Sequence, residues 1–473
     1  MKGRFYRVAV LLLILFVSVP MFAQEISERR EVAIFGLNYF GAPVGRPPET
    51  TSITVETDDV KVQVDVQGSG DEQTDQLFQQ TLGAVDQEIR EVFVNLGRFD
   101  IIGLPQKLSQ DDVSEFIDAI RQFKEANAEM PEAVLLGREA FTEADFNRLV
   151  GGFVVVIPSV TYYNAFQNDS GDYEAELATS FTIINVDTLE TIAQFTVETD
   201  GYDADKATAV RDAVDEIANQ LRFEITSVDE FRLRTIVAEV DGSDVVLQFG
   251  EDMGVSVGDE YNIVRQRTTN AGFETQDETG LVIIREVSDV FSTGYLVYAD
   301  PEPFPGDQLV EIPRFGFEFM PYANFLIDVG TESISAPIIG FRGIASRGFF
   351  DFRPVANIEV NLGPLFAGGG LPLLLSNVMV GGEFNLYLGR LKIVPSAAVG
   401  AGLLVPLENP ENFAVSHLGG TIKAQVQFLV EDNLLIFGEA GWSQWFSLYD
   451  GIVSSAYTDS YGGPTVGAGV IIK

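Results

Sequence analysis

Thr421-Ile422-Lys423-Ala424-Gln425-Val426-Gln427-Phe428 alternates apolar and polar residues without a break. A period of two puts Ile422, Ala424, Val426 and Phe428 on one face of a strand, and Thr421, Lys423, Gln425 and Gln427 on the other. The pattern recurs through residues 315–473. Phe315, Phe317, Phe319, Ala323 and Phe325 oppose Glu318, Tyr322 and Asn324. Ala356, Ile358, Val360 and Leu362 oppose Asn357, Glu359 and Asn361. Phe384, Leu386 and Leu388 oppose Glu383, Asn385 and Tyr387, and Ile393, Ala397, Val399, Ala401 and Leu403 oppose small residues. Val466, Ala468, Val470 and Ile472 oppose Gly467, Gly469 and Lys473. Two noisier segments, at 337–346 and 434–443, carry isolated charges at Arg342 and Glu439. The sum is eight amphipathic strands.

Their connections alternate in length. Gly389-Arg390 and Glu431-Asp432-Asn433 are tight turns and Arg347–Asp351 is short, whereas 329–336, 363–376, 405–417 and 447–464 are long. Alternation alone also fits a soluble barrel or sandwich with its polar face outward. The loop asymmetry, the mixed charges on the polar faces and an export signal favour the opposite polarity, with lipid outside. An eight-stranded lumen is only wide enough for side chains. Glu318, Arg342, Glu359, Glu383, Lys423 and Glu439 are therefore expected to form an inward network that plugs the barrel, since buried charges must be paired. Trp442, Trp445, Phe446 and Tyr449 are expected as an aromatic girdle at the outer interface, with ordinary barrel packing as the alternative. The pattern resembles the eight-stranded OmpA-like barrels of outer membranes. Such barrels mostly finish on an aromatic residue recognised during insertion, where this sequence reads Ile471-Ile472-Lys473.

The first residues read as a secretory signal: Lys2, Arg4 and Arg7 lead an apolar run from Val8 to Val19, with a cleavage region at Pro20-Met21-Phe22-Ala23. The 473 residues contain no cysteine, which excludes disulfides, thiol catalysis and zinc–thiolate sites. The net charge of −40 is uneven, with 57 acidic and 20 basic residues in 24–314 but 13 and 7 in 315–473. So acidic a field repels nucleic acid and suits solubility or a cationic partner.

Between the signal and the barrel, helices and strands interleave. Glu31–Leu37 reads as a buried strand, Ser52–Glu56 and Val60–Val66 as a hairpin, and residues 74–96 as a helix with Leu77, Leu82, Val85, Ile89, Val92, Phe93 and Leu96 on one stripe. Residues 98–102 form a strand, Ser109 and Thr142 cap two further helices, and Phe153–Tyr163 is the next strand. A hairpin across Asp187-Thr188 and a helix over 203–222 complete the unit. This order, with the marks Arg98-Phe99 and Asp187-Thr188-Leu189-Glu190, resembles the curli-secretion lipoprotein and TolB N-terminal group over residues 31–222. The chain departs from the lipoproteins in lacking an acylated cysteine and in owning a whole barrel. Residues 228–312 are β-rich, and Gly254-Val255-Ser256-Val257-Gly258-Asp259-Glu260 is similar to a turn in the C-terminal module of the flagellar assembly protein T. Turn chemistry alone explains those residues.

No constellation for catalysis emerges. His417 is the only histidine, at a loop-to-strand join where a surface or interfacial role is expected, and Gly368-Gly369-Gly370 lacks the context of a phosphate loop. Asp71, Glu72 and Asp75 do not match a twelve-residue calcium loop.

The sequence thus predicts an α+β multidomain chain: a signal peptide (1–23), a periplasmic α/β sandwich (24–227), a small β module (228–312) and an eight-stranded antiparallel transmembrane β-barrel (313–473). It predicts a non-enzymatic outer-membrane anchor without cofactor or metal. Its partners would be membrane lipid and a periplasmic protein, with no nucleic acid, and self-association stays open. The alternatives are an oligomeric secretion or assembly factor and a soluble periplasmic binding protein.

Overall fold

A computed structural model describes residues 26–39, 51–57, 60–66, 72–104, 107, 133–136, 139–142, 154–168, 170–269, 271–329, 335–363, 373–407, 413–448 and 460–473. The signal segment, the helices expected after Ser109 and Thr142, and Tyr449 lie outside these residues.

Among the described residues, the first unit is a sheet with two helices. Its strands are β1 (Arg30–Ile34) and β2 (Asn38–Tyr39), followed by a hairpin of β3 (Thr51–Thr57) and β4 (Val60–Val66), helix α1 (Glu72–Asn95) and β5 (Phe99–Gly103). A two-stranded ribbon of β6 (Ala133–Leu136) and β7 (Glu139–Thr142) comes next; the sequence reading did not contain it. Then come β8 (Val154–Gln167), β9 (Tyr173–Asn185), β10 (Glu190–Asp203) and helix α2 (Lys206–Ser227). The sheet runs β10-β9-β8-β1-β5, antiparallel from β10 to β8 and parallel from β8 to β5, with β2 also on β8. Val85, Ile89, Val92, Phe93 and Leu96 recur at helical spacing and bury with the sheet. In α2, Val210, Val214, Ile217, Leu221 and Ile225 do the same, and Asp205 caps the helix by accepting from the Thr208 amide at 3.0 Å.

The second unit is a small closed barrel. β11 (Arg234–Asp241), β12 (Asp244–Leu247), β13 (Glu260–Thr268), β14 (Glu274–Val287), β15 (Ser292–Ala299) and β16 (Gln308–Ile312) close in the order β11-β12-β15-β14-β13-β16. Val237, Val245, Tyr261, Ile263, Val282 and Leu309 fill it.

The third unit is the large barrel. β17 (Phe317–Leu326), β18 (Ala336–Ala345), β19 (Phe352–Asn361), β20 (Leu373–Phe384, continued by β21, Leu386–Leu388), β22 (Leu391–Pro406), β23 (Ala414–Glu431), β24 (Leu434–Ser447) and β25 (Tyr461–Ile472) pair antiparallel with their neighbours. Pairing of β17 with β25 and of β20 with β22 closes eight strands into a ring. Among the described residues, no helix is long and apolar enough to cross a membrane.

The units meet through backbone as well as side chains. Gly97, which follows α1, and Gly254, in the connection between β12 and β13, both hold positive φ and lie against each other. A Cβ on Gly254 would sit 2.0 Å from the Leu96 carbonyl oxygen. Steric overlap and the left-handed backbone each cost a residue with a side chain about 1–3 kcal/mol. Gly254→Ala is therefore expected to loosen this contact, read as faster hydrogen exchange at residues 94–97 and 250–254. Unchanged exchange would show that the contact carries no strain.

Candidate functional site

The large barrel has its polarity inside out. Along β17 the exposed and buried positions alternate strictly, with Phe317, Phe319 and Phe325 outward and Glu318, Met320, Tyr322 and Asn324 inward. Ile339, Phe341, Ile358, Val380, Val399, Ile422, Val426 and Val466 continue the exposed apolar surface around the ring; Ile422 is 71% exposed. Contiguous apolar exposure on this scale marks a surface built to be covered.

The lumen carries the charge. Arg353 lies 2.8 Å from Glu318 and 2.5 Å from Glu383, tying β17, β19 and β20 together. Arg342 donates to Asn357 at 2.6 Å and lies 3.6 Å from Glu383. A second knot centres on Lys423, whose ammonium is 2.9 Å from both Glu359 and Glu439. Tyr322 donates to Glu359 at 2.9 Å, and Asn324 and Gln425 donate to Glu439 at 2.7 and 2.8 Å. Gln427 then donates to Gln425 at 2.7 Å. All these side chains are buried. The geometry matches the electrostatic need, because each ion has left water and its charge must be met within the lumen. Glu318, Arg342, Glu359, Glu383, Lys423 and Glu439 thus fall into two knots. Arg353 and Lys392, both inward, belong to the same interior and were absent from the sequence reading; they stand next to turns, where face assignment by alternation is hardest.

The three described girdle rings, Trp442, Trp445 and Phe446, do not stay together. Trp442 and Phe446 face outward, 45% and 60% exposed. Trp445 is a correction: it is fully buried, stacks on Tyr461 and donates to Ser443 at 2.9 Å. A period of two explains it, since position 445 has the opposite parity to 442 and 446. His417 is likewise corrected from a surface or interfacial position to full burial beside Tyr461, its Nδ1 2.8 Å from the Ser416 hydroxyl. Among the described residues, no group of three or more His, Cys, Asp or Glu side chains is placed to hold a metal ion.

The small barrel seals one end of the large one, the end with the short turns. Leu281, Ile283 and Val297 join Met320, Ile344, Leu429, Leu435 and Ile471 in one apolar cluster. Tyr295, Phe350 and Tyr387 pack as a trio of rings around it. Tyr298 donates to Asp432 at 2.9 Å, and the Arg390 guanidinium lies 3.6 Å from the centre of the Tyr298 ring. Close to the same end, Arg98 makes a bidentate pair with Glu311 at 2.6 and 2.9 Å, which joins the small barrel to the α/β unit. Burial opposes the charge of Glu311, but Arg98 and the Leu233 amide hold its carboxyl below the usual range. Burial pushes Asp259 up to about 6, against the pull of Arg347 at 3.7 Å. Between the α/β sheet and the small barrel lies an open cleft of about 600 Å³, lined by Arg30, Glu31, Asn185, Asp187, Asp229 and Arg232 among others.

No protein-family model matches the chain. No curated protein matches it either. Among solved structures, Neisserial surface protein A is similar at 16% identity over 33% of this chain and 97% of its own, with a TM-score of 0.27. A Xanthomonas campestris protein is similar at 10% identity over 43% of this chain and 86% of its own, with a TM-score of 0.20. A hypothetical protein from Chlamydia trachomatis follows at 9% identity, covering 41% and 96%, with a TM-score of 0.22. Scores this low carry nothing about activity, and the functional reading rests on the geometry of the chain itself.

Three expected outcomes follow from the site. Lys423→Met strands Glu359 and Glu439 in the lumen and should destabilise the barrel by about 3–5 kcal/mol. Adding Glu359→Gln and Glu439→Gln should restore most of it, measured by urea unfolding in micelles. With brominated lipids, fluorescence of Trp442 should be quenched and that of Trp445 spared, tested in Trp445→Phe and Trp442→Phe variants; equal quenching would contradict the face assignment. The α/β contact should resist acid down to the ordinary carboxylate range. Asp259 takes up its proton near pH 6, which relieves a burial cost, whereas the stabilisation from Glu311 is lost only as pH falls through its depressed pKa. Hydrogen exchange around Arg98 that rises already between pH 7 and 5 would contradict this.

Proposed function

We propose that the chain is an outer-membrane anchor whose plugged eight-stranded barrel fixes two periplasmic units in place. The observation that carries this reading is the inverted polarity of the barrel: phenylalanine, isoleucine and valine outside, ion pairs within. A closed sheet satisfies its own backbone hydrogen bonds, which is the condition for strands to cross lipid. The short turns, the lead-in to β17 and the finish of β25 all lie on the side of the small barrel, which on this reading faces the periplasm. The signal-like Lys2–Ala23 segment agrees with export. The crossed ion pairs of the lumen make the barrel a support rather than a conducting pore. The α/β unit, in the acidic half of the chain, is the part we assign to docking another envelope component of cationic character. Its resemblance to the curli-secretion and TolB N-terminal group fits a periplasmic station, and no catalytic or cofactor role is assigned.

Carbonate extraction combined with heat-modifiable gel migration tests the assignment. The chain should stay with the membrane fraction and migrate faster when unheated. Planar bilayers containing it should show no conductance steps. Release into the aqueous fraction would favour the soluble binding protein, and crosslinked rings in membrane extracts would favour the oligomeric assembly factor.

A further inference from the structure

The ring of the large barrel is joined at one place by strands far apart in sequence, the seam between β17 and β25. Its ladder is continuous from Tyr322↔Gly469 to Leu326↔Thr465, but below that only Phe319↔Ile472 pairs. By contrast, β17 pairs with β18 at ten consecutive positions. Pro321 lies in the gap and has no N–H to give a neighbour. The seam is thus weakest at the end that the small barrel covers.

At that end stands Glu260, the first residue of β13, buried. One carboxylate oxygen accepts from Arg314 at 2.7 and 3.0 Å, and the other accepts from the Lys473 ammonium. Arg314 leads into β17 and Lys473 follows β25. A single carboxylate of the small barrel therefore takes one cation from each side of the seam. Arg314 also donates to the Asp432 carbonyl at 2.7 Å, which fixes it to the turn between β23 and β24. The neighbouring Asp259 meets Arg347 in the turn between β18 and β19. Glu260 is buried and Asp259 half-buried at the interface, and their ion-pair partners come from the large barrel.

We propose that the small barrel has a function of its own, as an intramolecular clasp that locks the seam of the large barrel through Glu260. A buried carboxylate without cations is costly, so docking is favourable only once Arg314 and Lys473 have been brought together by closure of the ring. Closure and docking then stabilise each other. This is independent of where the barrel resides, because it concerns only how the ring is held shut.

The test uses the full chain refolded in detergent micelles. In Glu260→Gln, hydrogen exchange at 319–322 and 469–472 should rise by about tenfold or more, while the β23–β24 ladder is unaffected. Glu260→Gln and Lys473→Met should each lower the temperature of the heat-modifiable transition, and the double variant should fall no further than the worse single one. If Glu260→Gln fails to fold, Lys473→Gln, which keeps the Arg314 pair on Glu260, serves instead, and seam exchange at 319–322 and 469–472 should rise in it too. Seam exchange unchanged by Glu260→Gln or by Lys473→Gln, or strictly additive losses, would overturn the clasp.

Discussion

The constraint on which the rest depends is that a closed sheet must satisfy its backbone polar groups internally while its two faces meet opposite surroundings. In the large barrel every strand hydrogen-bonds on both sides, so the sheet has no free edge. That frees the side chains to divide by parity. The outward set is greasy and exposed; the inward set is charged and paired. With eight strands the lumen is too narrow to stay open, so its contents must interlock. The Lys423 and Arg353 knots are the solution this sequence has found. Most of their ion pairs join neighbouring or next-but-one strands, while Lys423 reaches across the ring from β23 to Glu359 on β19 and braces it from within.

The same logic explains how the three units become one body. Buried charge is costly unless it is met, and at the boundaries between units the carboxylates of the small barrel take their cations from the neighbouring units. Glu311 meets Arg98 of the α/β unit, Asp259 meets Arg347 of the large barrel, and Glu260 meets Arg314 and Lys473. Between the two barrels, rings and aliphatic side chains pack in one cluster, whereas a cleft stays open beside the α/β sheet. The small barrel thus ties the α/β unit to the large barrel, and Phe223 of α2 also stacks directly on Phe315 at the lead-in to β17.

Much of this was legible in the sequence where a physical period repeats. The alternation at 421–428 gave the barrel faces, and the turns at 389–390 and 431–433 stand where the alternation stops. The amphipathic stripe of α1 and the Asp187-Thr188 hairpin were legible for the same reason. What escaped the sequence is what three dimensions alone decide. Trp445 was grouped with Trp442 by proximity and by residue type, although parity separates them. His417 stood in what read as a loop because β23 starts earlier, at Ala414, than composition suggested. Arg353 and Lys392 were missed because a charge beside a turn reads equally well as solvent-facing. The closure of β11–β16 into a barrel depends on pairing between strands far apart in sequence, for which a single chain carries no local signal.

The most direct measurement compares refolding of the full chain in plain buffer with refolding in the presence of phospholipid vesicles. Compact, fast-migrating protein that floats with the vesicles, and only aggregate without them, is the result this account predicts. A monodisperse, folded chain in buffer alone, with its apolar belt somehow covered, would contradict it.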